Sequence, residues 1–423
     1  MTLPDPRVSP SPKARNPVLE CPTEQPQSDC TARLPLELLS EIFTLCFSQI
    51  FQPSINFHNP PLALLRVSRI WRNTALATPS IWTRLRIDAL PCKDPFAELC
   101  VAWVKRARQL PISLSLHGSL VLFNMRELLE ACGPHLHELS LQIDLEREAT
   151  GRPHRRGRGV GRQIDLLGIQ FPSLRVLSIE TLSGSELVGA GENTKDWLTL
   201  LHAAPSLTEL HLPRMAHLSD YQLEAPTSVL IHPTLQTLRM GHPASELGQN
   251  RGVVLSHLTL PGLQNLVVSS ISAQHLLSFL TRSSPPLRSL TMFLSSTTSL
   301  PEAEAQLCRI LPATLTDLTL LNGGLHPLVE ILNDSQCLLG LMHLSVWVIS
   351  LRPDQCDAIS RMLRYRSLRS FEVVYLESLV YFPENDEAME KLREISQSMD
   401  KDGTEIRVIT KQRHGLYMDP SLL

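Results

Sequence analysis

Aromatic residues are scarce in this chain. Phenylalanine, tryptophan and tyrosine together make up 5% of its 423 residues, although hydrophobic residues reach 43%. Leucine and valine must therefore fill the interior, as they do in short repeated units. A chain of this length is also long for one compact core, which favours several domains or an elongated repeat architecture. Charge of one sign is missing as well: a net charge of −3 gives no global pull toward nucleic acid. No uninterrupted apolar run approaches the roughly eighteen residues of a membrane span, and no basic region followed by an apolar run opens the sequence, so neither a span nor a leader is expected. The Asn333-Asp334-Ser335 sequon accordingly has no expected role. The nine cysteines, at positions 21, 30, 46, 92, 100, 132, 308, 337 and 356, form no C-x-x-C pair. An odd, unclustered set reads as reduced thiols in the cytoplasm or the nucleus.

The marks of catalysis are missing too. The glycines of "GAG" (189–191) and "GRGVG" (157–161) are not followed by the Lys-Ser/Thr of a phosphate loop, and no G-x-S-x-G or H-E-x-x-H motif occurs. The best metal candidate is "CGPHLH", with Cys132, His135 and His137, but it lacks a second ligand pair to complete four-fold coordination. Neither an enzyme nor a bound cofactor or metal is expected.

What is present is a repeated pattern. Residues 1–30 hold seven prolines and few large apolar side chains, a composition expected to be disordered. Residues 31–90 then hold three short helical patterns. The first starts at Pro35 and carries Leu38, Leu39, Ile42, Phe43 and Cys46. The second starts at Pro61 and runs through Leu62, Leu64, Leu65 and Val67 to Trp71. After Pro79 interrupts the next, "IWTRLRI" closes the region as an extended segment. So small and greasy a unit needs a surface to cover it.

From residue 91 to 411 the unit is a helix-period run, a turn and then L-x-x-L-x-L or a close variant. The motifs are "LHELSL" (136–141), "LRVLSI" (174–179), "LTELHL" (207–212), "LQTLRM" (235–240), "LQNLVV" (263–268), "LRSLTM" (287–292), "LTDLTL" (315–320), "LMHLSV" (341–346) and "LRSFEV" (368–373). "ISLSL" (112–116) and "IRVI" (406–409) are read as terminal members. From Leu207 onward the starts lie 24 to 28 residues apart, within the range of leucine-rich repeats. In an extended x-L-x-L segment every second side chain faces the same way, so parallel stacking makes one continuous core. The expected fold is α/β: a short helical N-terminal region followed by a leucine-rich-repeat solenoid, with a curved parallel sheet inside and helices outside. The Asn or Cys that usually follows the last leucine by three residues is replaced here by Asp144, Leu182, Met215, Pro243, Ile271, Ser295, Gly323, Ile349 and Leu376. The solenoid is therefore expected to be irregular.

Two further segments stand out. "REATGRPHRRGRGVGR" (147–162) carries six arginines and one glutamate in an over-long connection between repeats. A solvated insertion, an import signal and a site for an acidic partner all fit it, but no interleaved aromatic supports base stacking, so nucleic acid is not an expected partner. The residues just after the final repeat leucine read Gln142, Glu180, Pro213, Gly241, Ser269, Phe293, Leu321, Trp347 and Val374. Phe293, Leu321, Trp347 and Val374 make an apolar row on four successive strands, with Trp347 as a favoured anchor for a protein substrate. The competing reading is that the C-terminal tail (412–423), or the turns after the strands, cover that row.

The stretch "LPLELLSEIF…LLRVSRIWRNTALATPSIWTRLRI" (34–87) resembles an F-box, and with the repeats behind it the chain resembles the fungal-type F-box proteins with leucine-rich repeats. The resemblance implies that the helical region docks the Skp adaptor of a Skp–cullin–F-box ubiquitin ligase, through Leu34, Pro35, Leu38, Leu39, Ile42, Val67, Trp71 and Trp82. It implies a substrate receptor with no chemistry of its own. The alternatives are a leucine-rich-repeat scaffold independent of the adaptor, and helices that only cap the end of the solenoid.

Overall fold

Alternating leucines can share one face only if the residues that carry them are extended, and extended they are. The computed structural model describes residues 34–48, 58–88, 95–118, 125–143, 168–181, 200–212, 229–241, 252–294, 306–307, 309–321, 337–348, 351–366, 368–377, 384–399 and 405–412. The Pro-rich segment 1–30, the Arg-rich segment 147–162 and the tail beyond residue 412 lie outside the described residues.

Fourteen strands are described: β1 (Arg84–Asp88), β2 (Ile112–Gly118), β3 (Leu136–Ile143), β4 (Val176–Thr181), β5 (Glu209–Leu212), β6 (Leu230–Ile231), β7 (Thr237–Met240), β8 (Leu258–Thr259), β9 (Asn265–Ile271), β10 (Ser289–Leu294), β11 (Asp317–Leu321), β12 (His343–Val348), β13 (Ser370–Glu377) and β14 (Glu405–Gln412). Twelve of them form one parallel sheet in chain order, from β1 to β14, while β6 and β8 pair separately. Eight α-helices have both ends among the described residues: α1 (Leu36–Ser48), α2 (Arg69–Ala77), α3 (Pro95–Ala107), α4 (Met125–Cys132), α5 (Gly252–Ser256), α6 (Ala273–Ser283), α7 (Pro353–Tyr365) and α8 (Glu384–Met399). The fold is α/β.

One register explains why the motif repeats as it does. The fourth place of each motif aligns with the same place of its neighbours, in the series Leu85, Leu114, Leu139, Leu177, Leu210, Leu238, Leu266, Leu290, Leu318, Leu344, Phe371 and Ile406. All but Ile406 are buried, each worth about 2 kcal/mol against exposure. The helices add their inward faces to the same core, among them Trp103 of α3, Leu129 of α4, Phe279 of α6, Ile359 of α7 and Leu392 of α8.

The connection from one unit to the next is equally regular. At the second motif place, backbone N–H groups donate in series from Arg175 to His137 O, Thr208 to Arg175 O, Gln236 to Thr208 O, Gln264 to Gln236 O, Arg288 to Gln264 O, Thr316 to Arg288 O, Met342 to Thr316 O and Arg369 to Met342 O, at 2.8–2.9 Å. Just before the first leucine the chain passes very close to the preceding turn. The Ser173 and Thr314 hydroxyls donate to Pro134 O and Leu287 O at 2.8 Å. At Gly262 and Gly340 a Cβ would lie 2.3 Å from Pro233 O and Ala313 O. Register shifts between β2 and β3 and between β9 and β10 are the irregularities seen. Of the places where the usual Asn or Cys is missing, Ile271 is the one whose side chain is described, and it is buried.

The N-terminal region departs from the expected pattern in two respects: Ile81 and Trp82, expected to be extended, belong to a 3-10 turn (Pro79–Trp82), with β1 starting at Arg84, and the second helix is broken. The helix expected from Pro61 through Trp71 is split into a 3-10 turn (Leu62–Arg66) and α2. Ser68 adopts extended φ/ψ and accepts the Trp71 N–H on its Oγ at 3.2 Å, so it starts a new helix as an N-cap.

Candidate functional site

Helix α1 carries Glu37, Ser40, Glu41 and Thr44 along one side and apolar side chains around the rest, an arc wide enough to need cover in more than one direction. Its inward side is already served. Leu39 and Phe43, one turn apart, are each 2% exposed, and the Phe43 ring lies 5.2 Å from that of Trp71. A polar seam fixes its lateral side to the Pro79–Trp82 turn: the Ser40 and Thr78 hydroxyls share a hydrogen bond at 2.7 Å, and those of Thr44 and Ser80 share one at 2.9 Å. The outward side is bare. Leu34, Leu36, Leu38, Ile42 and Leu45 face water, and Val67 and Leu76 do so on the segment beside it. These seven are over half of the thirteen large apolar side chains exposed among the described residues, so the exposure is concentrated here. Glu37 and Glu41 border the patch on α1, and Arg66, Arg69 and Arg72 are exposed on the neighbouring segment.

The residues expected to contact an adaptor thus fall into three groups. Leu34, Pro35, Leu38, Ile42 and Val67 are exposed, and Trp71 is half-buried against Phe43. Leu39 and Trp82 are buried and have no surface to offer. Trp82 instead joins the helical region to the sheet. Its indole N–H donates to Ala75 O at 2.8 Å, and its ring meets that of Trp103 edge-on at 4.9 Å. The Trp103 indole N–H donates to Trp82 O at 3.0 Å, and the Arg106 guanidinium lies 4.9 Å from the Trp82 ring centroid. The residues that reasoning from the sequence missed are Leu36, Leu45 and Leu76. The signal for Leu45 was its spacing from Leu38 and Ile42, which puts all three on one side of a helix.

On the face of the sheet away from the core lie polar and apolar rows. One row aligns Arg86, Ser115, Ser140, Ser178, His211, Arg239, Val267, Thr291, Thr319, Ser345, Glu372 and Arg407. Two places further along each strand, Phe293, Leu321, Trp347, Val374 and Ile409 stand in register on five successive strands. The expected apolar row therefore exists in the backbone and extends to Ile409. It is not open. Leu321, Trp347 and Val374 are 3%, 5% and 1% exposed and form a small cluster of their own with Ile409. The Trp347 indole N–H donates to Ser345 Oγ at 3.2 Å, which in turn donates to a Glu372 carboxylate oxygen at 2.9 Å. The side chains of Phe293 and Glu180, and the whole of Pro213, lie outside the described residues.

No chemistry gathers around the thiols described in the interior. Burial pushes the Cys132 thiol up to about 12 and the Cys356 thiol up to about 11, so both stay protonated and are poor nucleophiles and ligands. Among the described residues no group of three His, Cys, Asp or Glu side chains could hold a metal ion, and no helix is long and apolar enough to cross a membrane. The chain matches no protein-family model and no curated protein.

Proposed function

We propose that this chain is the substrate-recognition subunit of a Skp–cullin–F-box ubiquitin ligase, working in the cytoplasm or nucleus. In this reading the outer side of α1 and its neighbours dock the Skp adaptor and, through it, the cullin. The parallel sheet and its helices form a leucine-rich-repeat solenoid that carries a protein substrate. The subunit needs no cofactor and supplies no catalytic residue. It acts by effective concentration, because a target lysine held near the ubiquitin-carrying enzyme reacts as in a near-intramolecular step.

The observation that supports the reading is the bare outer face of α1. Leu38 and Ile42 are 48% and 43% exposed and Val67 is 58% exposed, although the inward positions beside them are filled. They are also residues on which the likeness to an F-box rests. Apolar side chains grouped on one small region cost solubility unless a partner covers them.

The test is binding of purified Skp adaptor to the full chain and to a variant carrying Leu38→Ser, Ile42→Ser and Val67→Ser. A Leu339→Ser control alters an exposed apolar residue elsewhere. The triple variant is expected to keep its melting temperature and to bind roughly a hundredfold more weakly, with the control unchanged. No binding by the unaltered chain would leave the adaptor-independent scaffold as the better reading.

A further inference from the structure

The two edges of the large sheet are not alike. At the first, Leu85 and Ile87 of β1 are buried in the core they share with Trp82 of the helical region. At the other, Ile406 and Val408 of β14 stand at the same core-facing places and are only half-buried. The end of a stacked-repeat sheet leaves its core open to water unless a cap or another molecule covers it. We infer that β14 is a self-association edge, which pairs antiparallel with β14 of a second copy of this chain across a two-fold axis normal to the sheet. The inference does not rest on the ligase reading.

The backbone sets which residues can join. The Glu405 N–H donates to Arg369 O, beside β13, at 3.0 Å. In a parallel ladder successive residues turn their N–H and C=O groups to opposite sides, so those of Ile406, Val408 and Thr410 point away from β13. The Ser396 hydroxyl of α8 meets one of them there, donating to Ile406 O at 3.3 Å. Among the described residues no strand lies beyond β14. It is eight residues long, pairs with β13 throughout and holds neither proline nor glycine, so it offers a template on which a further strand can form.

The sequence of the strand selects the occupant. In a two-fold antiparallel pair, the residues whose backbone points off the sheet must face one another, which leaves few registers. With Val408 opposite Val408 of the second copy, Ile406 faces Thr410 on the core side. On the outer side Arg407 faces Ile409, and Glu405 faces position 411, a lysine. Exposed Glu405 also contacts Arg407 of its own strand, so charges of alternating sign line the outer side of the pair. The next register in either direction sets Arg407 against Arg407 or against Lys411, and like charges directly opposite are unfavourable. The strand is thus complementary to its own reverse in one register, which also covers the half-buried Ile406 and Val408. A contact of this kind closes at two copies and leads to no fibre.

The experiment is sedimentation equilibrium of the full chain over a dilution series. Twice the mass of one chain is expected at the concentrated end; a single-chain mass throughout, or an assembly larger than two copies, would overturn the inference. Val408→Pro removes an N–H that points off the sheet and leaves the ladder to β13 intact. Glu405→Lys sets like charges opposite each other twice per dimer. Each should raise the dimer dissociation constant roughly tenfold, with circular dichroism unchanged. Adding Lys411→Glu to Glu405→Lys restores opposite signs and should return the constant to within about threefold of the unaltered chain. A dimer indifferent to Glu405→Lys, or one that the double change fails to restore, would count against the pairing, and this holds even where Val408→Pro disturbs the fold.

Discussion

Two glycines carry an unusual share of the contact between units. At Gly262 and Gly340 a methyl group would stand 2.3 Å from a backbone oxygen of the preceding unit, and backbone cannot move aside as a long side chain can. Gly262→Ala and Gly340→Ala are expected to cost about 1–3 kcal/mol each, read as a lower midpoint in chemical denaturation. Equivalent places hold Ser173 and Thr314, whose hydroxyls use the same proximity for hydrogen bonds. His232 adds a dependence on pH. Its Nε2 donates to Ala204 O at 3.1 Å, and burial, the largest effect on it, lowers its pKa from the usual 6.5. The folded chain therefore resists the proton that the unfolded chain accepts. Its contribution is complete above about pH 6.5 and is lost as pH falls from there through the lowered folded value. Melting temperature should fall between pH 7.5 and 5.5, and the fall should be smaller in His232→Gln; an equal fall in both would assign the effect elsewhere.

Helix α1 shows how two faces of one element can be told apart by their response to change. Its inner leucine and phenylalanine are packed, whereas Leu38 and Ile42 look outward. Leu38→Ser should leave stability within about 0.5 kcal/mol of the unaltered chain. Trp82→Ala, which empties the joint between the helical region and the sheet, should cost about 3–5 kcal/mol; calorimetry on the two variants checks both. The strands were legible in advance, since all twelve members of the large sheet fall on stretches that the leucine alternation marks. The two-residue strands β6 and β8 were not, because two residues carry no period. Nor was the inward side of α1, because the apolar arc opposite Glu37, Ser40, Glu41 and Thr44 is wide enough to hold both the packed Leu39 and Phe43 and the outward Leu38 and Ile42. The break at Ser68 went unread because the apolar spacing runs straight through it, although a serine at a helix start was there to be seen. The apolar row was read correctly in its register, but its burial depends on what covers it, which alternation along a strand cannot report.

At the scale of the whole molecule most of the buried hydrophobic residues described form one connected core that runs from Leu39 in α1 to Ile395 in α8, apart from the small cluster of Leu321, Trp347 and Val374. The helical region shares it: β1 pairs with β2 along its whole length, and Trp82 rests on Trp103. A fragment of residues 31–90 alone would leave Trp82, Leu85 and Ile87 without their covering. It is expected to show no cooperative melt and little amide protection, whereas the same residues in the full chain should exchange slowly. Cooperative folding of that fragment would mean that the region is an independent domain. The junction has a further consequence. A single residue, Thr83, separates the Pro79–Trp82 turn from the first strand, so there is no slack at which the two parts could swivel. Along the strand order the sheet runs about 53 Å at 4.8 Å per step, so play at such a joint would be felt by every strand behind it. Without a swivel, the helical end and the first strands turn as one piece, so a twist applied to either is passed to the other undiminished.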